Sequence, residues 1–165
     1  MAEIPYRSRA IQLASRLGEL ATAAGTFVTT AESCTGGGVA TAITSVSGSS
    51  RWFGCGFITY SNEAKQRQLG VKSATLNEVG AVSAEVVSQM VAGACQASGA
   101  SLAVAISGIA GPGGGSRRKP VGTVFIAWGN QVQQHAECYH FSGDREAVRA
   151  QAVDAALEGL IAQLT

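Results

Sequence analysis

Residues 29 to 40 read TTAESCTGGGVA, with a serine, a cysteine and a threonine set directly before three glycines. If a strand ends near Ala31 and a helix begins near Gly36, Ser33 sits at the turn between them, beside backbone N–H groups that no helical carbonyl accepts. That arrangement suits an anion or an oxyanion, and the glycines permit the backbone angles of a nucleophile elbow. The GxSxG spacing of such an elbow is absent, as is the glycine–lysine–serine or glycine–lysine–threonine run of a Walker loop. On local pattern alone Ser33 stays open between a nucleophile and a helix cap. Cys34, its neighbour, offers a rival thiol.

A serine nucleophile needs a base. His135 and His140 are the only histidines. Five apart in a late strand, they face opposite sides of a sheet and read as partly exposed strand residues. The lysines are Lys65, Lys72 and Lys119. Lys65 follows YSNEA at the start of a short helix after a strand; Lys72 follows a glycine turn, and Lys119 precedes a proline in a basic loop. To serve as a base, a lysine must have its pKa brought from about 10.4 to about 7, a differential cost of roughly 4 kcal/mol. Burial and a nearby helix N-terminus can supply that shift; the competing reading of Lys65 is a solvated surface lysine.

A second glycine cluster, SGIAGPGGG, runs from Ser107 through Gly108 to Gly113, Gly114 and Gly115. It follows the most apolar segment of the chain, where α/β proteins place ligands. Its backbone N–H groups, with Ser107 and Ser116, can receive a phosphate, although the same letters also make an ordinary flexible loop. Arg117, Arg118 and Lys119 read as solvated loop charges.

The elements that must position these groups follow from periodicity. Residues 8 to 24 carry apolar side chains at helical spacing and stop at Gly25. TFVTTA reads as a buried strand, VATAITSV as a helix, WFGCGFITYS as a strand and NEAKQRQL as a short helix. Ser83 is placed to cap a helix ending near Gly99. SLAVAIS fits a central strand covered on both faces. VGTVFIAW and VQQHAECYHF form a hairpin, and a last helix starts near Asp144 with Val153, Leu157, Leu160 and Leu164 on one face. This interleaving predicts one α/β domain over residues 1 to 165, a three-layer α/β/α sandwich with a mixed central sheet.

Composition narrows the function classes. Of the 165 residues, 46% are hydrophobic and 14% charged, enough for one sizeable core and too few residues for two ordinary domains. Twelve basic against eleven acidic residues leave a net charge of +1, which favours neither nucleic acid nor a membrane surface. Cys34, Cys55, Cys95 and Cys138 show no CxxC or metal-ligand spacing, so they are expected to be buried thiols in a reducing cytoplasm, with no metal and no cofactor. The chain shows no secretory signal and no apolar run of membrane-spanning length.

Six ordered blocks then carry a resemblance: TTAESCTGGGVATAIT, GSSRWFGCGFITYSNEAKQRQLGV, GAVSAEVVSQMVAGA, AVAISGIAGPGGG, KPVGTVFIAW and FSGDREAVRAQAVDAAL. Together they resemble the CinA C-terminal domain family from about residue 8 to 160. The resemblance implies an α/β/α hydrolase that uses serine and lysine, without metal, to convert the carboxamide of nicotinamide mononucleotide to the acid and ammonia. It implies that Ser33 is the nucleophile, Lys65 the base and Tyr60 a helper. Backbone groups of Thr35, Gly36 and Gly37 are then the expected oxyanion donors. The loop from Ser107 to Gly115 is the expected phosphate site, with Ser49, Ser50 and Arg145 as weaker candidates. A homo-oligomer such as a dimer is expected. The alternatives are a catalytically silent nucleotide-binding module and, weakened by the missing Walker lysine, a phosphotransfer enzyme.

Overall fold

The computed structural model describes residues 5–165, with side chains from residue 8 onward. A five-stranded sheet in the order β2-β1-β3-β4-β5 forms the middle layer, built from β1 (Val28–Glu32), β2 (Phe53–Ile58), β3 (Leu102–Gly108), β4 (Thr123–Gly129) and β5 (Gln134–His140). β1 pairs parallel with β2 and β3, whereas β3–β4 and β4–β5 are antiparallel. The sheet is mixed, as the sequence predicts.

Strand alternation divides the core. In β3, Leu102, Val104 and Ile106 pack toward α1 (Pro5–Ala24), α2 (Gly38–Thr44) and α6 (Arg145–Gln163). Ala103 and Ala105, on the other face, meet α5 (Ala84–Ser98), beside which lie α3 (Asn62–Leu69) and α4 (Ser73–Val79). The small alanines let α5 lie close to the sheet. α4 and a 3-10 turn at Ser49–Arg51 are the elements absent from the periodicity reading, the first because it buries only Leu76 and so shows no apolar stripe, the second because three residues show no period.

The connections decide where a ligand can bind. From β1 the chain crosses over one face through α2 to reach β2, then returns over the opposite face through α3, α4 and α5 to reach β3 on the other side of β1. β1 is thus a topological switch point, with a crevice beyond its C-terminal end. β1, β2, β3 and β5 all end at that edge of the sheet, so Ser33, Tyr60, Gly108 and the start of α6 meet there. Ser49 and Ser50 precede the N-terminal end of β2, since Phe53 pairs with Val28, and therefore lie at the opposite edge.

One expectation needs correction. Cys34 and Cys95 are buried, but Cys55 and Cys138 are exposed, because they lie on β2 and β5, the sheet's edge strands, where fewer neighbours cover them. His135 and His140 are both exposed on β5. Among the described residues no helix is long and apolar enough to cross a membrane.

Candidate active site

Ser33 follows the last residue of β1, and its N–H donates to the Ile106 carbonyl at 3.0 Å, which ties the turn to the central strand. Alternation along β1 sends Glu32 and Ser33 to opposite faces. Glu32 lies wholly buried on the α2 side, accepting from the Thr35 hydroxyl at 2.7 Å and from the N–H groups of Val39 at 2.9 Å and Ala40 at 3.1 Å. The N-terminus of α2 is therefore already occupied by a carboxylate of the chain itself, and the helix begins at Gly38 rather than near Gly36.

Ser33 faces α3, whose register is set by two local signals. Ser61 caps it by accepting from the Ala64 N–H at 3.0 Å, and Gly70 ends it in the left-handed region. This places Lys65 so that its Nζ lies 2.9 Å from Ser33 Oγ, 2.6 Å from the Thr59 carbonyl and 3.4 Å from the Tyr60 carbonyl. Only 1% of Lys65 is exposed, against 8% of Ser33. No carboxylate pairs with it among the described residues. Burial without a counter-charge lowers its pKa from the ordinary 10.5 to about 8, against a small opposing effect of Cys34. Desolvation pushes the Cys34 thiol the other way, up to about 11, so beside Ser33 it is neutral and a poor nucleophile.

A cleft of about 280 Å³ opens over this pair. Ser33, Tyr60, Lys65, Ser107, Gly108, Gly113, Gly114 and Arg145, all named from the sequence, line it. Gly111, inside the loop from Ser107 to Gly115 that the sequence singles out, lines it too, and the sequence reading missed Asn62, Ala81 and Val82, which complete its walls. Tyr60 is 63% exposed, and its hydroxyl accepts from Arg145 Nη2 at 3.1 Å while Arg145 Nη1 donates to the Gly111 carbonyl at 2.8 Å. The guanidinium thus joins the second glycine loop to the connection between β2 and the helix that carries Lys65.

Other candidates fall differently. Ser49 and Ser50 are not brought to the cleft, and Gly115 does not line it; a Cβ there would come within 2.8 Å of the Val121 nitrogen, so this glycine serves close packing of the loop. The Gly36 N–H is taken by the Ser33 carbonyl at 3.0 Å, whereas those of Cys34, Thr35 and Gly37 make no bond within the described residues. Lys119, read as solvated, instead donates from Nζ to the carbonyls of Val79, at 3.1 Å, and Val82, and sits 5.9 Å from the Phe125 ring centre. Its ammonium finds the open carbonyls at the end of α4, a tertiary partner that loop composition does not reveal. Arg149 was also missed, although it lies one helical turn beyond Arg145 and so on the same face of α6. Among the described residues no three His, Cys, Asp or Glu side chains converge as a metal site.

A buried serine–lysine pair at a switch point, under a cleft walled by glycine-rich backbone, has the groups that acyl transfer requires. The model of the CinA C-terminal domain matches residues 10–164. The chain belongs to the CinA C-terminal domain family. Within that family it is 60% identical over 149 residues to a Pseudomonas putida protein named nicotinamide-nucleotide amidohydrolase PncC, covering 90% of this chain and 93% of that one. A protein of the same name from Escherichia coli K12 is 53% identical over 156 residues, covering 93% of both chains. Among solved structures, the competence/damage inducible protein CihA of Agrobacterium tumefaciens superposes with a TM-score of 0.92 at 43% identity, covering 98% of each chain. The resemblance carried by the six blocks thus extends to the family model, to relatives at high identity and to the fold.

Proposed function

We propose that the chain hydrolyses the carboxamide of nicotinamide mononucleotide, giving nicotinate mononucleotide and ammonia, with Ser33 as nucleophile and Lys65 as general base. The observation that carries this reading is the 2.9 Å contact between a buried Lys65 Nζ and Ser33 Oγ, with no carboxylate paired to the lysine among the described residues. The names of the relatives supply the substrate; the cleft supplies a compatible setting.

Neutral Lys65 takes the Ser33 proton as Oγ bonds to the amide carbon, and the carbonyl oxygen becomes an oxyanion. The free N–H groups of Cys34 and Thr35 are the nearest backbone donors along the chain for it. Collapse breaks the C–N bond, and the Lys65 ammonium returns its proton to the departing nitrogen, releasing ammonia. Water, losing a proton to the again-neutral Lys65, then attacks the ester carbon; the acid leaves and Ser33 regains its proton. The carbonyls of Thr59 and Tyr60 steer the ammonium through both steps. The exposed ring of Tyr60 forms one wall for the substrate, and the loop from Ser107 to Gly114 with Arg145 is the phosphate-bearing side.

The test is ammonia release from nicotinamide mononucleotide by the wild type and by Ser33→Ala. Turnover by the wild type and its loss in the variant are expected. No ammonia from the wild type, or undiminished release by the variant, would refute the reading, and ligand binding without turnover would favour a silent binding module.

A further inference from the structure

Arg149 grips the nucleophile turn from the side away from Lys65. Its Nε donates to the Cys34 carbonyl at 3.1 Å and its Nη2 to the Thr35 carbonyl at 3.3 Å. A trans peptide points its N–H opposite to its C=O. Holding the Cys34 carbonyl therefore turns the Thr35 N–H away from the guanidinium, and holding the Thr35 carbonyl does the same to the Gly36 N–H, which closes the turn on Ser33. Gly36 is at φ +58°, and a Cβ there would come within 3.3 Å of Arg149 Nη2. Its glycine thus serves both the left-handed turn and the seat of the guanidinium. Glu32 fixes the same turn from beneath through the Thr35 hydroxyl.

We propose that Arg149 is a positioning residue for the reaction: by holding the Cys34 carbonyl it orients and polarises the Thr35 N–H that receives the oxyanion, and by holding the Thr35 carbonyl it braces the Gly36 N–H on the Ser33 carbonyl, whose peptide carries the Cys34 N–H. Charge-assisted bonds to a carbonyl strengthen the N–H of the same peptide as a donor, so the guanidinium acts through the backbone without touching substrate. This rests on the acyl-transfer reading of Ser33.

The experiment compares wild type, Arg149→Met and Arg149→Lys for ammonia release from nicotinamide mononucleotide, with calorimetric binding of the product nicotinate mononucleotide and a melting curve for each. A misplaced donor turn lowers kcat by about 10- to 100-fold in Arg149→Met, with KM and product affinity within about twofold of wild type. Arg149→Lys, which keeps the charge and one donor, recovers part of that loss. Should the Met variant not fold, the Lys variant carries the test, with an intermediate kcat expected at unchanged product affinity. A wild-type kcat in a folded Met variant, or in the Lys variant when that carries the test, overturns the proposal. So does a tenfold or greater loss of product affinity with kcat retained, which would make Arg149 a phosphate ligand. Turnover surviving in Ser33→Ala refutes the underlying acyl-transfer reading instead. An inactive Ser33→Ala beside a fully active Arg149→Met refutes only the role of Arg149.

Discussion

Replacing Lys65 with methionine should abolish activity and stabilise the protein at the same time. The Lys65 pKa of about 8, against 10.5 in the unfolded chain, corresponds to about 3 kcal/mol of penalty on the charged form. The sign follows from proton binding. Between about pH 8 and 10.5 the unfolded chain binds more protons at this group, so stability rises with pH across that window. The penalty is complete below about pH 8 and fades toward pH 10.5. Methionine removes it and keeps the apolar stem, but it forfeits the bonds to Ser33 Oγ and the Thr59 carbonyl, a loss of about 1–2 kcal/mol. The net gain at pH 7 is about 1–2 kcal/mol, or roughly 2–8 °C in Tm, shrinking and reversing by about pH 10. The same pKa leaves about 9% of Lys65 neutral at pH 7, some 300-fold more than an unshifted lysine, so wild-type kcat/KM should climb with pH and level off above about 8. Cys34, the one titrating neighbour that acts on Lys65, stays neutral until about pH 11 and leaves that profile undisturbed. Calorimetric melts of wild type and Lys65→Met from pH 6 to 10, with a pH–rate profile, make the test. A variant less stable than wild type at pH 7, or a rate that levels off only near pH 10, would refute the reasoning.

Gly93→Ala should lower both stability and kcat although it lies on α5, outside the cleft. Its Cβ would stand 1.8 Å from the Leu69 carbonyl at the end of α3, and relieving that overlap moves the helix that carries Lys65. A loss of about 2–3 kcal/mol in urea unfolding and at least tenfold in kcat is expected, and a stable variant with wild-type kcat would show that α3 can yield without moving Lys65. Lys119→Met should raise KM several-fold with kcat nearly unchanged, because Lys119 ties the glycine loop to Val79 and Val82, and Val82 and the loop form walls of the cleft. Steady-state kinetics decide this, and an unaltered KM would leave Lys119 a purely structural latch.

The helices and strands long enough to show a period were legible because each buries one face, and burial imposes a period of 3.6 or 2 on the apolar residues. The caps at Ser61, Ser83 and Asp144 are local chemistry within four residues; the sequence shows the one at Ser83 directly and, near Asp144, the start of the last helix. Arg149, by contrast, lies 115 residues beyond Cys34, and no local pattern joins a helix arginine to a distant turn. Glu32 was hidden for a different reason: it reads as one more strand residue until β1 ends and α2 starts directly above it. The exposed Cys55 and Cys138 show the same limit, since edge position follows from strand order, which periodicity does not encode.

By itself, then, the sequence determined the class of fold, the turn that holds Ser33 and the short helix that carries Lys65, because each rests on patterns among residues near in the chain. Tertiary structure decided what those residues can do. Thirty-two positions separate Lys65 from Ser33, and their hydrogen bond exists only because β1 and β2 are parallel neighbours ending at one edge, with α3 folded back over it. The same packing strips water from the ammonium and brings its pKa to about 8. Proximity and desolvation are properties of the folded chain, and the proposed role of Lys65 as a base rests on them.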